Sequence, residues 1–94
     1  MQQIDRIRNK IALLDASIIK KLAKRQALSR EIAMLKLAHG LAIFDAAREQ
    51  TLYQHYDNLC KKYNIQPDYI RCLFTIILEN SRAIQAIVTD SNED

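Results

Sequence analysis

Glycine and proline occur once each in these 94 residues, cysteine twice and tryptophan not at all. β-Sandwiches, barrels and glycine loops that cradle phosphate all need frequent turn residues, so this scarcity excludes them. Cys60 and Cys72 are too few for a disulfide framework or a cysteine-based zinc site. They read as small buried apolar residues in a reducing compartment. Long hydrophobic runs are missing too. The longest, residues 72–78 with Thr75 inside it, is far too short to span a bilayer. Met1-Gln2-Gln3-Ile4-Asp5-Arg6 has no apolar signal core. The expectation is a cytoplasmic protein with no membrane partner. Apolar residues at 49% and charged residues at 27% mark a globular chain. What remains is an all-α chain, one domain over residues 1–94, with few and sharply marked breaks.

The net charge of +3 is unevenly spread. Residues 1–40 carry nine basic residues against Asp5, Asp15 and Glu31, whereas residues 41–94 carry five basic residues against eight acidic ones. A basic first half suits nucleic acid, an anionic small molecule or a solvated face, and periodicity has to decide.

From Ile4 to His39 there is neither glycine nor proline. Ile4, Ile7, Ile11, Leu14, Ile18, Leu28, Ile32 and Leu35 fall at alternating steps of three and four, the seam of a coiled coil. Lys21 and Arg25 break that seam, and Gly40 supplies a stop. A first helix is expected over about 4–39. A second, over about 46–63, starts after the N-cap residue Asp45 and carries Leu52, Tyr56, Leu59 and Tyr63 on one face. A third, over about 67–89, has Pro67 in its first turn and Asp68 at its positive end. Residues 90–94 read as a frayed polar end. A first helix of about 36 residues is roughly 54 Å long, too long for two shorter helices to cover. Its seam therefore calls for a second copy of itself, and the expected architecture is three helices per chain in an intertwined homodimer.

Several polar residues sit where the pattern wants apolar ones. Arg25 lies in the seam, and Lys36 follows three turns later on nearly the same face. Ser81 and Gln85 interrupt the stripe of the third helix. Buried polar groups need partners and buried cations need anions. Facing each other in a bundle, these four would make a cationic, hydrogen-bonding pocket with no nucleophile. His39 and His55 lack metal-ligand spacing, so neither metal nor cofactor is expected. Tyr53, Tyr56, Tyr63 and Tyr69 read as lining the core or its edge, and Lys20, Lys21 and Lys24 as a solvated face.

These residues resemble the all-helical class of chorismate mutase. The first helix carries Ile7-Arg8-Asn9-Lys10-Ile11, Leu14-Asp15, Leu22-Ala23-Lys24-Arg25, Ile32-Ala33 and Lys36. The second opens with Asp45-Ala46-Ala47-Arg48-Glu49, like the family's Asp-x-x-Arg-Glu. The third carries Ile76-Ile77-Leu78-Glu79-Asn80-Ser81 and then Gln85, which in the register Ile77-Leu78-x-x-Ser81-x-x-x-Gln85 is like its Ile-Ile-x-x-Ser-x-x-x-Gln ending, with Leu78 in place of the second isoleucine. The resemblance implies conversion of chorismate to prephenate, an intramolecular Claisen rearrangement on the route to phenylalanine and tyrosine. By the same resemblance Arg8 and Arg25 bind the two substrate carboxylates. Lys36 reaches a carboxylate and the ether oxygen, and Gln85 donates to that oxygen. Arg48 and Ser81 help hold the substrate, Glu49 accepts the ring hydroxyl, and Asp45 contributes nearby. Arg8 and Arg25 are seventeen residues apart on one helix, about 25 Å, so one ligand can meet both only if Arg8 comes from the partner chain. Two departures touch the loops: Ala42 stands where relatives commonly have proline, and Gln66 precedes Pro67 where they often have aspartate.

Two rival readings stand beside this one. An isochorismate pyruvate lyase of the same fold would share the arginines, the lysine and the glutamine but lack the equivalents of Glu49 and Ser81. A noncatalytic basic helical dimer binding nucleic acid would turn its cations outward along the first helix.

Overall fold

A computed structural model describes residues 1–91. Among them the chain is all-helical: α1 spans Gln2–Ala38, α2 Ala46–Tyr63 and α3 Pro67–Ser91. The frayed end expected at residues 90–94 is helical at Asp90 and Ser91, and residues 92–94 lie outside the described part.

Each break has a local cause. α1 ends where Gly40 turns left-handed at φ 65°, a conformation that costs glycine nothing. Leu41 N–H donates to the Lys36 carbonyl (2.8 Å) and Gly40 N–H to that of Leu37 (3.3 Å), the paired closure of a Schellman turn. α2 starts at Asp45, whose carboxylate accepts the Arg48 backbone N–H at 3.0 Å. It stops at Asn64, which takes the left-handed conformation at φ 53° that asparagine tolerates. Pro67 then opens α3 three residues later, with Asp68 in its first turn.

α3 is the central element. It packs against both α1 and α2, while the backbones of α1 and α2 stay apart. Its meeting with α2 is aromatic. Tyr56 stacks on Phe74 with centroids 4.0 Å apart and meets Tyr53 edge-on at 5.8 Å. Arg71 of α3 closes this joint on its outer side by forking onto Asp57 of α2, at 3.1 and 2.6 Å. That guanidinium holds the Asp57 carboxyl below the usual carboxylate range.

The meeting of α1 with α3 does not use the coiled-coil seam. The covered strip of α1 runs Leu22, Gln26, Ser29 and Ala33, one position round from Arg25, Leu28 and Ile32. Ser29 and Ala33 are buried, and their small size lets the two helices approach. The seam itself stays open. Ile4, Ile7, Ile11, Leu14 and Ile18 are 41–64% exposed, and so are Leu28, Ile32 and Leu35 farther along. Every residue from Met1 to Lys21 is exposed, so the first half of α1 stands out from the body as a bare arm. The chain is correspondingly long, 59 × 27 × 15 Å, with a radius of gyration of 17.0 Å. A compact domain of this size would have about 12 Å.

Three burial expectations are corrected. Cys60 is buried between α2 and α3, but Cys72 faces outward, because α3 turns its other side to its neighbours. Tyr63 and Tyr69 are 68% and 59% exposed. Both sit at the α2–α3 turn, beyond the reach of α1. Tyr56 alone of the four tyrosines is fully in the core, with Tyr53 half-buried.

Candidate active site

Where the second half of α1 meets α3 and the start of α2, the three helices leave a cavity of about 280 Å³. That is near the lower end, about 300 Å³, of pockets for small organic ligands. α1 contributes Arg25, Ser29 and Lys36, spaced so that all lie on one face. Asp45, Arg48 and Glu49 come from the first turn of α2 and its cap. Ser81, Arg82 and Gln85 come from α3, and Leu28, Ile32, Leu52 and Leu78 form the apolar walls.

The polar side chains form a connected chain. Ser29 and Ser81 share a hydrogen bond of 2.7 Å across the α1–α3 contact. The Gln85 amide nitrogen donates to Ser81 Oγ at 3.2 Å, and its Oε1 accepts from Lys36 Nζ at 3.1 Å. Lys36 Nζ also donates to the Ile43 carbonyl at 2.7 Å, tying the loop between α1 and α2 to the site. An ammonium has three protons and an amide nitrogen two. Each of the two groups therefore keeps one proton beyond these bonds, side by side on the cavity wall. Gln85 is buried, with 6% of its surface exposed, and the network satisfies it.

Charge is the second feature. Arg25, Lys36, Arg48 and Arg82 face Asp45 and Glu49 across the cavity, a surplus of two positive charges. The Asp45 carboxylate is occupied in capping α2. Glu49 is bound by Arg82, whose Nη1 donates to both carboxylate oxygens. That carboxylate raises the pKa of Arg82 further above its ordinary value. Arg25 is half-buried and faces the Tyr56 hydroxyl. Burial pushes the Tyr56 pKa up, and the Arg25 charge only partly offsets the rise. Among the described residues no three potential metal ligands come together, and the residues lining the cavity include no paired nucleophile and base. What it offers is fixed cations and hydrogen-bond donors, a container for a compact anion.

Of the eight residues singled out in the sequence, seven line this one cavity: Arg25, Lys36, Asp45, Arg48, Glu49, Ser81 and Gln85. Arg8 does not. It lies on the bare arm of α1, its side chain 75% exposed and only loosely paired with Asp5 at 4.0 Å. Three contributors went unseen. Ser29 was legible in principle, since it stands one turn after Arg25 on the cavity face. Arg82 was hidden because its partner Glu49 is 33 residues away on another helix. The Ile43 carbonyl is a backbone group and leaves no trace in residue identity.

The fold and cavity define an all-helical protein with a polar, cationic pocket for a small anion. Residues 7–86 match the family described as chorismate mutase type II, and the chain belongs to that family. It is 32% identical over 85 residues to the chorismate mutase of Methanocaldococcus jannaschii, covering 90% of this chain and 86% of that protein. It is 41% identical over 78 residues to the bifunctional chorismate mutase/prephenate dehydratase of Buchnera aphidicola subsp. Acyrthosiphon pisum, and 33% identical over 75 residues to that of Escherichia coli K12. The match takes in 83% and 80% of this chain but only 20% and 19% of those two longer proteins.

Proposed function

We propose that this chain, as one domain, converts chorismate to prephenate in the route to phenylalanine and tyrosine, and that it does so as a homodimer with shared sites. Family membership carries the reaction, and neither the lyase nor the nucleic-acid reading is favoured beside it. The observation that carries the mechanism is the pairing of Lys36 Nζ with the Gln85 amide at 3.1 Å on the wall of the cavity. In the rearrangement the ether C–O bond breaks as a new C–C bond forms within one molecule. No proton is transferred, so the lack of an acid–base pair is no obstacle. The protein's work is to hold the folded conformer and to meet the charge growing on the ether oxygen.

Each residue then has a role. Arg25 binds one substrate carboxylate and the partner subunit's Arg8 the other. Lys36 and Gln85 direct their remaining protons at the ether oxygen, with Lys36 also near a carboxylate. Arg48 and Ser81 hold the substrate, Glu49 accepts the ring hydroxyl's hydrogen bond, and Asp45 fixes the start of α2 beside it. The open seam supports the dimer. An arm of about 30 Å with five seam aliphatics 41–64% exposed has nothing among the described residues of its own chain to cover it. The exposed thiol of Cys72 fits a reducing compartment, the cytoplasm. Among the described residues no helix is long and apolar enough to cross a membrane.

The test is direct. Purified protein should consume chorismate, followed by loss of its ultraviolet absorbance, and yield prephenate, with isochorismate as the control substrate. Gln85→Ala should lower kcat about 10²- to 10³-fold, the usual effect of removing one donor from a developing oxyanion, and Arg25→Ala should lower kcat/KM by about the same order through loss of a sheltered charge-paired contact to a carboxylate. Full activity in both variants would refute the assigned site.

A further inference from the structure

Arg82 belongs to no role described so far, yet it lines the cavity. Its Nη1 sits astride the Glu49 carboxylate, 2.5 Å from Oε1 and in contact with Oε2 as well. Its guanidinium carbon lies 5.4 Å from the centre of the Phe44 ring, which steadies it from the loop side. Both members of the pair are largely sheltered, with side chains 30% and 20% exposed. Water therefore screens them less than a surface pair.

Glu49 poses a physical problem. A pocket for a dianion that contains a sheltered carboxylate repels its own ligand. The same carboxylate must stay ionised and aimed if it is to accept a hydrogen bond from the hydroxyl. We infer that Arg82 is a positioning residue for the reaction: it neutralises Glu49 towards the substrate's carboxylates and fixes its oxygens to receive the ring hydroxyl. Its Nη1 is committed to Glu49, so it acts through that residue. This rests on the reading of the site as a chorismate pocket. The pair distinguishes a substrate that presents a hydroxyl from one that does not, because an ionised carboxylate left without that hydroxyl keeps an unmet acceptor.

The experiment is a double-mutant cycle in steady-state kinetics with chorismate. Arg82→Met, which keeps the apolar stem but not the charge, should raise KM about tenfold to a hundredfold, with kcat within about threefold of the parent. Because Nη1 alone makes both contacts to Glu49, Arg82→Lys supplies one charged nitrogen in its place and should recover part of the loss, its KM lying between those of the parent and of Arg82→Met. Glu49→Gln with Arg82→Met should be no worse than Glu49→Gln alone, because the neutral amide no longer needs the cation. Thermal melting of each variant reports folding. Should Arg82→Met fail to fold, the comparison of Arg82→Lys with the parent and of the double variant with Glu49→Gln still decides. Equal losses from Arg82→Met with and without Glu49→Gln, a lysine variant as impaired as the methionine one, or a methionine variant like the parent would each overturn the inference. A parent protein that leaves chorismate untouched would instead overturn the reaction itself.

Discussion

The two halves of α1 have the same seam and opposite fates. Residues 2–21 carry isoleucines and leucines at steps of three and four and are exposed throughout. Residues 22–38 continue the seam through Leu28, Ile32 and Leu35, yet α3 seats itself one position round, on Ser29 and Ala33. An apolar stripe therefore announces that a surface is to be covered, while small residues beside it announce where a neighbour in the same chain can come close. The seam is left for something else, and a second α1 matches it in length and period.

The largest expected effect comes from breaking the bare half. Leu14→Glu would set like charges against each other in a paired seam. It should convert a dimer to monomers in sedimentation and lower kcat/KM about a hundredfold or more, because Arg8 would be lost from both cavities. A variant that stays dimeric and active would show that the arm is not the interface. A sharper and smaller effect comes from mixing. Chains carrying Arg8→Ala and chains carrying Arg25→Ala are each expected to be nearly inactive. Mixed heterodimers should regain one intact cavity in two, so an equimolar mixture recovers about a quarter of the parent activity if chains pair at random. No recovery would mean that each chain works alone. The smallest effect belongs to the packed body. Arg71 lowers the folded-state pKa of Asp57, so the stabilisation is present above the ordinary carboxylate range and is lost as pH falls through the depressed value. Asp57→Asn should melt slightly below the parent at neutral pH, and the two should converge in acid. A gap that widens on acidification would contradict this.

Much of this was legible in the sequence, for identifiable reasons. Gly40, Asp45, Asn64 and Pro67 mark helix ends because each solves a local backbone problem that needs no tertiary partner. The cavity face of α1 was legible because Arg25 and Lys36 defied their own stripe, as Ser81 and Gln85 did on α3. Rotation was not legible. Nothing local says that α3 will choose the Ser29 strip over the seam, or that Cys72 will turn outward while Cys60 turns in. The Glu49–Arg82 pair was equally invisible, since an arginine after Ser81 looks like any exposed helical charge until α2 is placed beside it.

Lys36 joins two kinds of order that are usually separate. Its carbonyl receives the Leu41 N–H that finishes α1, and its ammonium holds the Ile43 carbonyl two residues later while leaning on Gln85. The bend and the cavity's ammonium thus share a single anchor. Lengthening that bend by one residue would swing the nitrogen as surely as replacing the lysine, which makes the span between Leu37 and Asp45 intolerant of insertion although it is almost wholly surface-exposed.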